Sequence, residues 1–169
     1  MANDSAQLFL DYSGERFARE LERVHLCLDQ IYESEVWWHP GEACNSIGNI
    51  IVHLCGNIGQ WMTSVANGRG DARDRHHEFV DQPDMTKVDV LTLLDNTVEQ
   101  ALSTLSGINP ARLTETLVIQ DFDVSILSAI YETERHFAEH VGQIAYITKM
   151  RRGASFRPLW VPKTPAQGA

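Results

Sequence analysis

Between Ala43 and Gly68 the chain has no Asp, Glu, Lys or Arg. An uncharged run of that length is long enough to cross a bilayer. Drawn as a helix, however, it puts Asn49, His53, Asn57 and Gln60 on one side, and Gly48, Gly56 and Gly59 interrupt it. The expectation is a helix buried in a soluble bundle, with no membrane partner. Acids are missing elsewhere too: none follows Glu139, whereas Lys149, Arg151, Arg152, Arg157 and Lys163 do. The net charge is −9 and the tail contributes +5, so residues 1–148 carry −14. That acidity argues against nucleic acid or an anionic membrane as partner. Repeats and low-complexity tracts are absent, which excludes solenoid and disordered classes.

Cysteine is scarce. Cys27, Cys44 and Cys55 are odd in number and lack a paired spacing, so no disulfide framework is expected. Cys27 and Cys55 fall in apolar helical runs and read as small buried hydrophobes. A reducing compartment follows, and the N-terminus lacks the basic start and apolar run of a secretory leader. The chain is expected in the cytoplasm. Its 169 residues suit one domain, expected over 1–153, with an irregular basic tail over 154–169 marked by Pro158, Pro162 and Pro165.

What is present is helical periodicity. Phe17, Leu21, Val24, Leu28 and Ile31 recur at steps of four and three, predicting a first helix over 5–34. Glu15, Arg16, Arg19, Glu20, Glu22 and Arg23 would face solvent. Trp37 and Trp38 precede Pro40-Gly41 and either plug the end of the core or lie over a substrate. The uncharged second helix, capped by Asn45 or Ser46, runs to about Ala66. Its glycines share out a small face that would let another helix come close. The loop over 67–85 holds His76, His77, Arg73 and Arg75; the arginines are candidates to hold an anionic substrate at a pocket mouth. Thr86 and Asp89 resemble a capping box opening a third, purely structural helix. The fourth begins near Asp123 or Ser125 and runs to Met150. Four helices with a long crossover between the second and third specify an all-α four-helix bundle.

The chemistry sits on the second and fourth helices. His136 and His140 are four apart, so both rings leave one face of the fourth helix, on a stripe with Glu132 and Gln143. Ser46, Asn49, His53, Asn57, Gln60 and Ser64 form an uncharged polar stripe on the second, the make-up of an interior pocket. His53 with His136 and His140 gives a His₃ set, which leaves coordination positions free for water or substrate, as catalytic zinc sites do. Nickel and other divalent ions suit the same donors. Asn49, Asn57, Gln60 and Gln143 are the pocket or supporting candidates. Glu132, the one acid on the metal stripe, is the candidate general base. Spacing alone leaves a second reading open, in which His53 is a satisfied core histidine and the other two an incidental pair. His136-Phe-Ala-Glu139-His140 also fits H-x-x-E-H, but no acid follows to serve as the further ligand those peptidases need.

The segments Asn45-Ser-Ile-Gly-Asn-Ile-Ile-Val-His53-Leu-Cys-Gly-Asn57 and His136-x-x-x-His140-Val-Gly-Gln-Ile144 resemble the DinB-like (YfiT-like) superfamily, and within it a branch of unknown function. The resemblance spans nearly the whole domain. It implies an up-down-down-up bundle, a homodimer, and a divalent metal, zinc or nickel, on His53, His136 and His140. It also implies a metal-dependent hydrolase or thiol S-transferase acting on a small-molecule substrate, with a low-molecular-weight thiol as a second cofactor. The alternative is a non-catalytic dimeric bundle that binds metal or a small ligand.

Overall fold

The computed structural model describes residues 2–68 and 73–160. Helices α1 (Ala2–Leu28), α2 (Ile47–Asn67), α3 (Lys87–Gly107) and α4 (Ile126–Arg152) make up the bundle, and a hairpin of β1 (Thr116–Ile119) and β2 (Phe122–Ser125) leads into α4. The second half of the expected tail, 161–169, lies outside the described residues, as does 69–72 in the long loop.

Each start has a local cause. Ser46 and Asn49 cap α2 reciprocally, Thr86 and Asp89 do the same for α3, and Ser125 Oγ accepts the Ser128 N–H at the start of α4. The first helix ends at Leu28, not at 34. Beyond it a 3-10 turn over Glu33–Glu35 directs Glu35 inward, where its carboxylate meets Tyr32 N, Arg151 and Arg152. The arginine of that pair nearer the α4 stem, Arg151, also covers the Trp38 ring at 4.4 Å. In the hairpin, Gln120 and Asp121 both have positive φ, the turn that suits the twist of two short strands.

Contacts fix the helix directions. Phe17 meets Phe137 and Cys27 meets Thr148, so α1 and α4 are parallel. His25 meets Asp95 and the Lys87 amine reaches the Leu28 carbonyl, so α3 runs against α1. Asn57 and Trp61 share a cavity with Glu132 and His136, while Ile50 shares another with Ile147, so α2 runs against α4. The order is up-down-down-up, and parallel α2 and α3 need the long crossover between them.

Because α2 packs against both α3 and α4, it is apolar on most of its circumference. Ile47, Ile51, Leu54, Ile58 and Val65 are fully buried, each such burial contributing about 2 kcal/mol. That explains a helix without charge. Among the described residues no helix is long and apolar enough to cross a membrane. A second expectation on α1 fails: Glu20 is 2% exposed, not solvated. Arg16 and Arg23, one turn to either side, fold over it at 2.6 and 2.5 Å.

Candidate metal centre

His53 lies two turns into α2 and is 4% exposed. His136 and His140 leave α4 opposite it. The ring centroids are 5.1 Å (His53–His136), 4.9 Å (His53–His140) and 4.4 Å (His136–His140) apart. One nitrogen from each lies within 4.8 Å of the others, and the Nε2 atoms of His53 and His136 are 2.9 Å apart. Bonds of 2.0–2.1 Å at tetrahedral angles set ligand nitrogens about 3.3 Å apart. The His53–His136 spacing is near that figure, and the His140 nitrogen lies within 4.8 Å of the other two.

Hydrogen bonds fix which nitrogens face inward. Glu78 Oε2 lies 2.9 Å from His53 Nδ1. Arg73 Nη2, which only donates, also lies 3.1 Å from Nδ1, but its shorter bond is to Glu78 Oε2 at 2.7 Å. The carboxylate is the nearer neighbour of Nδ1 and only accepts, so we assign the proton to Nδ1 and the lone pair to Nε2. His140 Nδ1 donates to Gln143 Oε1 at 2.8 Å with the same result. The ring of Phe79 lies against His53, centroids 5.0 Å apart. Burial, with the neighbouring rings and Arg73 adding to it, holds the His136 pKa down at about 4. Burial likewise lowers His53 against the opposing pull of Glu78, and lowers His140 against the bond to Gln143. Two imidazoles with inward lone pairs, and a third, His136, held neutral beside them, suit a divalent cation.

Glu78 is the residue that periodicity missed. It comes from the 3-10 turn over His77–Phe79 that packs on α2, and it is 5% exposed. Arg73 grips it with two bonds, Nε to Oε1 at 2.6 Å and Nη2 to Oε2 at 2.7 Å. Burial alone would raise the Glu78 carboxyl; Arg73 and His53 reverse that and hold it below its ordinary value. Arg73 therefore stands behind His53, its guanidinium taken up by Glu78, while Arg75 is exposed. His76 and His77 are exposed, His77 bonding to Asp74, and neither joins the cluster.

The other expected site residues divide. Gln143 bonds His140 directly. Gln60 Oε1 accepts from Arg73 Nη1 at 3.3 Å and from Gln120 at 2.7 Å, so it supports Arg73 behind the site. The Asn49 side-chain oxygen is taken up by Ser46 at the α2 cap, and its Nδ2 is buried without a partner. Asn57, Trp61, Glu132 and His136 line a cavity of about 410 Å³, where Asn57 Oδ1 and Trp61 Nε1 are buried and unpartnered. Glu132 is half-exposed on its wall, held at 2.8 Å by Arg135, which also pairs with Glu139. On the other side of the histidines a groove of about 840 Å³ runs between α4 and the start of α2, bordered by Ile50, Gln143 and Ile147.

The sequence model of DUF1572, a family of proteins of unknown function, matches residues 4–165. No curated protein matches the chain. Several solved structures are similar, two of them as follows. A DinB-like protein of Bacillus subtilis, YjoA, superposes with a TM-score of 0.68 over 88% of this chain and 97% of its own at 11% identity. A conserved protein of Enterococcus faecalis gives 0.69 over 83% and 95% at 16% identity. The fold is thus DinB-like, as the paired sequence segments imply.

Proposed function

The chain belongs to DUF1572, and we propose that it is a metal-dependent enzyme whose divalent ion is held by His53, His136 and His140. The observation that carries this reading is the convergence of three neutral imidazoles within 4.8 Å, two with their outer nitrogens already engaged. Zinc or nickel suits that donor set. When bound, such an ion supplies Lewis acidity, acidifying a water or low-molecular-weight thiol and polarising the substrate.

The chain's own residues do the rest. Among the described residues the cluster holds three ligands and no fourth, which favours an open site over an ion that only pins helices. In this reading Glu132 takes a proton from the nucleophile; its position on the cavity wall beside His136 and its pair with Arg135 support the role. Asn57 and Trp61 line the same cavity and bound the space for a small-molecule substrate. The reaction class is hydrolysis or thiol S-transfer, the enzyme a cytoplasmic homodimer; three free thiols, Cys27, Cys44 and Cys55, agree with a reducing compartment.

The test loads metal-depleted protein with zinc or nickel and follows turnover of activated esters, and of electrophiles with low-molecular-weight thiols. Turnover that needs the ion, and is lost in His136→Ala, supports the proposal. Metal-loaded protein inert toward both classes would leave a non-catalytic binder in its place. A Glu132→Gln variant with full activity would remove that residue from its role.

A further inference from the structure

Gly56 follows His53 by three residues on α2, on the side of the helix that meets the crossover loop. A Cβ there would stand 2.0 Å from Glu78 Oε1, 2.8 Å from Glu78 Cδ and 3.1 Å from Arg73 Nε. Nothing larger than hydrogen fits while the loop keeps its place. A glycine inside a helix costs about 1 kcal/mol relative to alanine, and here the cost has a visible counterpart. Through the gap it leaves, the Glu78 carboxylate comes down onto α2 and reaches the outer nitrogen of His53.

The three ligands are not supported alike. The Glu78 and His53 side chains are each 6% exposed, and so is Arg73. His140 leans on Gln143, whose side chain is exposed. Among the described residues, the one hydrogen-bond contact of the His136 ring is His53 itself. The rigid member is therefore His53, and its rigidity comes from a loop some 25 residues away in sequence.

We propose that Glu78 is the positioning residue of the centre: by accepting the Nδ1–H of His53 it fixes the tautomer and rotation that aim Nε2 at His136 and His140, and Gly56 and Arg73 are what allow it to do so. The metal part of this inference rests on the ligand assignment made above; the tautomer part does not. A partner of this kind to a ligating histidine changes metal affinity 10- to 100-fold when removed.

The experiment pairs two readouts on wild type, Glu78→Ala, Glu78→Gln, Gly56→Ala and the Gly56→Ala/Glu78→Ala double variant. One is Zn²⁺ affinity by competition with a chromophoric chelator. The other is the ¹⁵N–¹H long-range correlation spectrum of the histidine rings in metal-free protein. Wild type should show His53 as the Nδ1–H tautomer. Glu78→Ala should mix the tautomers and weaken zinc about 10- to 100-fold, while Glu78→Gln, which keeps an acceptor oxygen, recovers part of the loss. Gly56→Ala should reproduce Glu78→Ala, and the double variant should be no weaker than either single one, since both cut the same contact. If Gly56→Ala does not fold, the two Glu78 variants decide, because they add no atoms in the gap. Glu78→Ala with unchanged tautomer and affinity overturns the inference. Wild type that shows the Nδ1–H tautomer and yet binds no zinc overturns the metal assignment and leaves the positioning standing.

Discussion

The Nε2 atoms of His53 and His136 face each other at 2.9 Å inside the bundle. Two imidazolium rings cannot share that separation; a lone pair opposite a proton can, and so can two lone pairs on one cation. The site is thus built for rings without charge.

This sets a pH dependence. Burial, then the adjacent His140 and His53, bring His136 down to about 4 from 6.5. Between those values the unfolded chain binds the proton and the folded one does not, so acid favours unfolding. The contribution is complete above 6.5 and is lost as pH falls toward 4. For metal-free protein we expect about 2 kcal/mol lost from this ring, discounted for its partial exposure. Thermal unfolding at pH 7 and pH 4.5 measures it, and His136→Asn should decline less steeply. Equal slopes in the two proteins would contradict the assignment.

Two glycines of α2 should behave oppositely. A Cβ at Gly48 would stand 2.6 Å from the Trp37 ring, whose Nε1 donates to the Met85 carbonyl at 2.9 Å. Gly48→Ala must push that indole aside, at a cost of about 1–3 kcal/mol. At Gly59 nothing lies within 4 Å, so Gly59→Ala should gain about 0.5–1 kcal/mol from helix propensity. Urea unfolding of both variants is the check.

These glycines also mark how far the sequence could be read. The three histidines stood out because a period of three to four brings residues of one helix to one face, and because uncharged polar neighbours on α2 signalled an interior. The space at Gly48 and Gly56 was visible too, yet it is filled by an indole from the preceding loop and a carboxylate from the following one, not by a neighbouring helix. Loop residues carry no period, so nothing marked Glu78 among the charges around it. The misjudged Glu20 has the same kind of cause: its burial depends on arginines that fold over it, and a helical wheel does not record side-chain direction. Helix ends were legible where a cap stands in the sequence, as at Ser46, Thr86 and Ser125. They were not at Leu28, where α1 closes in turn bonds from Gln30 N to the Cys27 carbonyl and from Ile31 N to the Leu28 carbonyl, and a buried ion pair at Glu35 follows.

That ion pair gives a third prediction. The Glu35 side chain is 6% exposed and accepts from Arg151 at 2.8 Å and from Arg152, tying the end of α4 to the α1–α2 connection. Removing one partner of a buried pair strands the other charge. Glu35→Ala should cost about 3 kcal/mol in urea unfolding with zinc affinity unchanged, since the pair belongs to the helix ends. A loss below about 1 kcal/mol, the range of an exposed pair, would show that the arginines find water instead.

The central claim is that three histidines from two helices hold one ion. Metal content of the purified protein by mass spectrometry, wild type beside His140→Ala with both folded by circular dichroism, tests it most directly. The account predicts about one divalent ion per chain in the wild type and a large loss in the variant. Equal metal in the two proteins, or none in wild type after incubation with zinc and nickel, would contradict it.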